Sequence, residues 1–125
     1  MLRKYINELG RDDTLFNLDP NDKRWSQWNE EVKEYGFPSY ETWSMDTAFY
    51  GWLYERLKMY VDVSCVELDY HKFEYEGVMY TQKELIDKMI RGCEIALTVD
   101  PNDDDKKAVE DVSYIWAIIL PWMWW

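Results

Sequence analysis

Histidine, paired glycine and clustered basic residues are what this chain lacks. His71 is the sole histidine, Cys65 and Cys93 are the sole cysteines, and the glycines at 10, 36, 51, 77 and 92 all stand alone. Solitary glycines exclude a Gly-x-Ser-x-Gly elbow, a P-loop and a dinucleotide fingerprint, each of which needs glycines at fixed spacing. Two isolated cysteines give no metal pattern and are expected as free thiols in a reducing cytosol. Cys65 and His71 would lie about 20 Å apart on one extended strand, too far for proton transfer. With no nucleophile and base within reach, neither an enzymatic activity nor a cofactor is expected.

Positive charge is also scarce. Fourteen Lys and Arg face 25 Asp and Glu, for a net charge of −11. Without clustered cations a nucleic-acid backbone is a poor partner, whereas a basic protein surface is a good one. No apolar run reaches the roughly 20 residues of a membrane span. Met1–Gly10, MLRKYINELG, lacks the basic and apolar regions of a secretory signal. A cytoplasmic protein that binds neither membrane nor nucleic acid is the expectation.

What the chain has is aromatic residues and localised acid. Eight Trp and ten Tyr bring the aromatic share to 18%, concentrated in Thr42–Val61 and in the last ten residues. Asp62–Glu76 carries five acids and one Lys, and Asp100–Asp111 six acids and two Lys; together they supply −8 of the net charge. The acid serves solubility or a basic partner.

The expected fold is mainly α (α+β), one compact helical domain over residues 1–125 built around a buried central helix, with one small β-hairpin. Leu2, Tyr5, Ile6 and Leu9 recur at helical spacing before Gly10. Asp19-Pro20 reads as a helix start, with Trp25, Trp28, Val32 and Tyr35 as one stripe and Gly36 as the stop. In the next segment Ser44, Ala48, Gly51, Glu55, Lys58 and Asp62 form a single narrow polar stripe, and nearly everything else is apolar. Such a helix, Thr42–Val61, is expected at the centre, covered on several sides. Phe73 and Tyr75, then Val78 and Tyr80, flank Glu76-Gly77 as a hairpin. Thr81-Gln82-Lys83-Glu84 is a capping box opening an amphipathic helix through Leu97, and Asp100-Pro101 opens a last one towards Pro121.

Asp46 and Arg56 lie off the polar stripe, about 15 Å apart along the axis. A buried lone charge is costly, so each is expected either to dock helices through a polar network or, with Trp43 and Tyr50, to line a ligand pocket. Asp100, Asn102, Asp104 and Asp111 can be laid over calcium-loop positions, but Asp105 stands where the turn needs glycine, so no metal is expected. Leu18–Asp22 and Val99–Asp103 are near-copies whose flanks differ, which is explained by two helix starts with acid in the first turn. Tyr114–Trp125, YIWAIILPWMWW, is expected to dock internally or to form a homo-oligomer seam.

Trp43-Ser44-x-Asp46, Arg56-Leu57-x-x-Tyr60 and Leu85-Ile86-x-x-Met89-Ile90-x-Gly92-x-Glu94 resemble a loosely defined group of small uncharacterised bacteriophage proteins, over residues 38–97. Those carry a Trp-x-x-Asp helix and a Met-Ile-x-Gly-Phe-Glu helix end; here Cys93 replaces the Phe and the Trp-rich tail differs. The resemblance implies a phage-encoded protein in a bacterial cytoplasm. The function expected first is a non-enzymatic inhibitor of a host or anti-phage defence protein, binding a basic surface through Glu67, Asp69, Glu74, Glu76, Asp103, Asp104, Asp105, Glu110 and Asp111. The alternatives are a sponge for a nucleotide-derived signal, using the Trp43, Asp46, Tyr50 and Arg56 pocket, and a structural or assembly protein of the particle.

Overall fold

Helix α4, Gln82–Thr98, is the hub of the fold. A computed structural model describes residues 4–9, 18–64, 67–98 and 103–123, and in it α4 lies between α3, Met45–Val63, and α5, Asp103–Ile119. The other described elements are α1, Lys4–Glu8, α2, Trp25–Tyr35, and the strands β1, Lys72–Tyr75, and β2, Val78–Thr81, joined as one antiparallel hairpin. Mainly α with one hairpin is the class the periodicities predict.

The start of α4 is set by its sequence. Thr81 N–H donates to Glu84 Oε1 at 3.0 Å and Glu84 N–H donates to Thr81 Oγ1 at 3.1 Å, the predicted capping box. The amides of Gln82 and Lys83 donate to the carbonyls of His71 and Leu68, so the loop before the hairpin completes the cap. From there Leu85, Ile86, Met89, Cys93 and Leu97 are fully buried, against Val112, Ile115 and Ile119 of α5 and Leu53, Tyr54 and Leu57 of α3. At Gly92 the helices almost touch: a Cβ there would stand 2.4 Å from both the Ala108 carbonyl oxygen and Val112 Cγ2. The hairpin turns through Glu76 and Gly77, at φ 51° and 78°, the pair of positive φ values that a two-residue turn requires.

The α3 helix departs from expectation. It is covered along one face, through Gly51, Leu53, Tyr54 and Leu57, whereas Met45, Trp52, Met59 and Val63 are exposed. The polar stripe is what docks. Glu55 accepts hydrogen bonds from the amides of Ile6 at 2.8 Å and Tyr5 at 3.4 Å, and Asp62 accepts one from the Tyr5 hydroxyl at 2.6 Å. One carboxylate thus satisfies free amides of a helix too short to stand alone and the other holds its Tyr5 hydroxyl, which leaves part of the apolar side of α3 facing outward.

A second, separate cluster joins α2 to the turn Ser39–Thr42: buried Trp28 and Tyr40, with Leu18, Trp25 and Ala48 against them. The α2 helix starts at Trp25 rather than at Pro20. Asp19 instead closes a turn, accepting the amides of Asn21 and Asp22, and Asp22 accepts that of Arg24. Side-chain capture of the Asn21 and Arg24 amides competes with helix and delays it by a turn. Gly36, at φ 89°, ends α2 as predicted, but of the apolar stripe only Trp25 and Trp28 are covered; Val32 and Tyr35 are exposed. Asp100-Pro101, the predicted start of the last helix, lies outside the described residues.

Candidate functional site

The two acidic stretches, far apart in sequence, meet where the hairpin packs on α5. Lys107 makes the junction: its ammonium donates to Glu76 at 2.5 Å and to Asp111 at 2.7 Å. The Tyr75 hydroxyl donates to the same Asp111 carboxylate. Burial and that hydrogen bond to Asp111 push the Tyr75 hydroxyl well above its ordinary pKa, and the two carboxylates push Lys107 up as well. Tyr75 is neutral and Lys107 charged across the physiological range.

The expected partner-binding acids therefore divide. Glu76 and half-buried Asp111 hold hairpin to helix. Glu74 and Glu110 are exposed, next in sequence to Tyr75 and Asp111, with no partner among the described residues. Glu67 accepts the Asp69 amide at 3.1 Å in the loop before the hairpin, and both residues are exposed. Asp103 and Asp104 fall in the first turn of α5, and Asp105 follows them.

Beside the junction runs a groove of about 310 Å³ along the seam of α4 and α5, lined by Glu84, Asp87, Lys88, Arg91, Ala108 and Asp111. Sequence reasoning did not single it out. Glu84–Lys88 and Asp87–Arg91 have the spacing of two ordinary i,i+4 ion pairs, which hides them on a helix surface. In the fold Glu84 turns back to cap Thr81 and Asp87 pairs with Lys83 at 2.6 Å.

Of the residues expected to line a ligand pocket, Asp46 lies near enough to Tyr50 for its charge to help raise the pKa of the Tyr50 hydroxyl, after burial and Cys93, while Trp43 and Arg56 contact other residues. Asp46 and Arg56 are exposed, so the burial that would have forced partners on them is absent. Arg56 lies over the Trp52 ring at 4.3 Å and donates to the Trp52 carbonyl at 3.1 Å. Trp43 belongs to the aromatic cluster, 5.9 Å from Trp28 and 6.0 Å from Tyr40 between ring centroids. Half-buried Tyr50 packs on Phe49 and the main core. The cause is the orientation of α3 described above.

Of the cysteines and the histidine, Cys93 and His71 are described, and they are held in separate surroundings. Burial pushes the Cys93 thiol up to about 12, so it stays protonated and inert. His71 is exposed and rests against Tyr70 and Trp122, each at 5.0 Å. Among the described residues no group of three or more His, Cys, Asp or Glu could hold a metal ion. Among them, too, no helix is long and apolar enough to cross a membrane. In the tail, Ile115 and Ile119 are core residues, while Tyr114, Leu120 and Trp122 are exposed; Cys65, Trp124 and Trp125 lie outside the described residues. Comparison with protein-family models, curated proteins and solved structures finds no match to this chain.

Proposed function

We propose that this protein is a non-enzymatic binding protein that engages a basic surface on a partner protein through the acidic face formed by the hairpin and α5. The observation that carries the reading is the Lys107 junction, which brings two acidic stretches about thirty residues apart together at Glu76 and Asp111. Lys107 offsets only part of that charge, and Glu74 and Glu110 have no partner among the described residues. A preformed acidic face raises association rate and makes affinity fall with ionic strength. Its natural target is a surface that otherwise holds nucleic acid, where Lys and Arg are dense. The likeness to small bacteriophage proteins supplies the setting: a phage-encoded inhibitor in the bacterial cytoplasm, occupying such a surface on a host or anti-phage defence protein.

The test is affinity purification of the tagged chain from bacterial lysate at low and high salt, beside the charge-reversed variant Glu74→Lys/Glu110→Lys. A nucleic-acid-binding protein retained at low salt, released at high salt and lost with the variant is the expected result. Retention indifferent to salt and to charge reversal overturns the reading.

A further inference from the structure

We infer that the groove between α4 and α5 is a binding site for a small oxyanion, a carboxylate or phosphoryl group, held by Arg91 and Lys88. This site shares Asp111 with the acidic face but rests on other side chains, and concerns a ligand of opposite character.

Three observations converge on it. The groove has a structural cause: Gly92 and Ala108 let the helix backbones touch, and the small Ala108 side chain leaves a hollow beside that contact. Its volume, about 310 Å³, is at the lower end of the range of small-ligand sites.

Next, every carboxylate lining it is already engaged. Glu84 accepts the Thr81 amide, Asp87 accepts from Lys83, and Asp111 accepts from Lys107 and Tyr75. Thr81, with Lys72 and Lys88 beyond it, holds the Glu84 carboxyl below its usual range, as an occupied acceptor should be.

The cations are the reverse. Arg91 makes no hydrogen bond, ion pair or ring contact among the described residues, and Lys88 touches only the face of the Tyr80 ring, at 4.9 Å. The two stand one turn apart on α4 (i, i+3), so both reach the same stretch of groove.

A guanidinium with its planar fork unoccupied binds a carboxylate or phosphate in two parallel hydrogen bonds, and a neighbouring ammonium adds a point charge. The overall negative charge does not forbid this. Exposed charges beyond about 8 Å are screened at physiological ionic strength, and two of the groove's three carboxylates, Asp87 and Asp111, are paired with Lys83 and Lys107. A ligand of one or two charges, small enough for the hollow, fits; an extended polyanion would run into the acidic face next door.

The experiment titrates the full chain, labelled for NMR, with inorganic phosphate and separately with succinate at low ionic strength. Saturable shifts at the Lys88, Arg91 and Ala108 amides are expected, with affinity weakened about tenfold or more in Arg91→Ala. The same loss is expected only in part in Arg91→Lys, which keeps the charge without the fork, and not at all in Lys23→Ala, a surface cation remote in sequence. Whichever anion saturates at the lower concentration identifies the ligand as phosphoryl or carboxylate. No saturable change up to about 10 mM of either anion, or equal loss in Arg91→Ala and Lys23→Ala, overturns the inference. Because Glu74→Lys/Glu110→Lys leaves the groove intact, failure here and failure of the acidic-face reading are read separately.

Discussion

The main core and the α2 cluster bury side chains by different physics. Around α4 the contacts are mostly aliphatic, packed so closely at Gly92 that a single carbon has no room. Around Trp28 they are ring edges on ring faces: Trp25, Tyr40 and Trp43 all meet Trp28 within 5.9 Å at 68° to 90°. A cation closes that cluster, since Arg24 lies over Trp28 at 4.9 Å and Trp43 at 5.2 Å, clamped by Asp22 at 2.8 Å. Aromatic pairs and cation–π contacts add roughly 0.5–1.5 kcal/mol each and tolerate displacement; close-packed helices do not. One region answers to shape, the other to charge and ring geometry, so different perturbations should separate them.

Gly92→Leu should break the first region outright. Its side chain would start inside the Ala108 carbonyl, and chains that fail to fold, or a stability loss above about 3 kcal/mol in urea, are expected. Gly92→Ala sharpens the point. Better helix propensity returns about 1 kcal/mol, yet the contact is tight enough that a net loss is expected; a gain in stability would mean that the helices can part cheaply.

Trp28→Ala comes next, and its signature should be local. Truncating a buried Trp costs about 3–5 kcal/mol where the site cannot open independently. Here α2 reaches the rest through the turn Ser39–Thr42 and Ala48, so the measured loss is capped by the free energy of opening that region alone. Amide exchange should collapse across Trp25–Tyr35 and stay slow across α4 and α5. Uniform loss of protection would show the two regions to be a single cooperative unit.

The same contrast explains what was legible in the sequence. Features fixed by residues near each other in the chain read directly: the Thr81–Glu84 box, the Glu76-Gly77 turn, the Gly36 stop and the apolar stripe of α4. What failed was anything settled by a remote partner. The polar stripe of α3 was visible but not its use, because nothing local says that Glu55 and Asp62 will serve α1, some fifty residues earlier. Asp46 and Arg56 looked buried for the same reason. The acidic stretches were visible, but their union through Lys107 was not. The groove was hidden by correct local spacing: Glu84 and Asp87 had two partners within reach, and their hydrogen bonds go to Thr81 and Lys83 rather than to Lys88 and Arg91.

Acid should part the two regions in solution. Hydrogen bonds from the Arg24 side chain and amide, then the guanidinium charge, hold the Asp22 carboxyl down to about 2. A depressed folded-state value means stability present above the unfolded pKa, near 4, and lost as pH falls through 2. Tryptophan fluorescence of the α2 cluster should therefore change between those limits, before the aliphatic core melts. In Asp22→Asn that step should disappear, since the asparagine has no charge to lose; a transition of unchanged size would place its origin elsewhere.

Alkali should test the docking of α1, with the opposite sign. The Tyr5 hydroxyl is pushed up to about 12, first by donating to Asp62, then by burial and by the charges of Asp62, Glu8 and Glu55. Its unfolded value is near 10, so the contribution is whole below that and fades as pH climbs through 12. A tyrosinate beside Asp62 would repel the carboxylate that now accepts from it, and α1 should come away from α3 with its amides leaving Glu55. Tyr5→Phe keeps the ring in the core and removes the proton. The variant should be less stable at neutral pH, for the loss of one hydrogen bond to a charged acceptor, and should lack the α1 step in alkali. If the step survives in Tyr5→Phe, the carboxylates of α3 hold α1 through the backbone amides alone, and the hydroxyl contributes nothing to the contact.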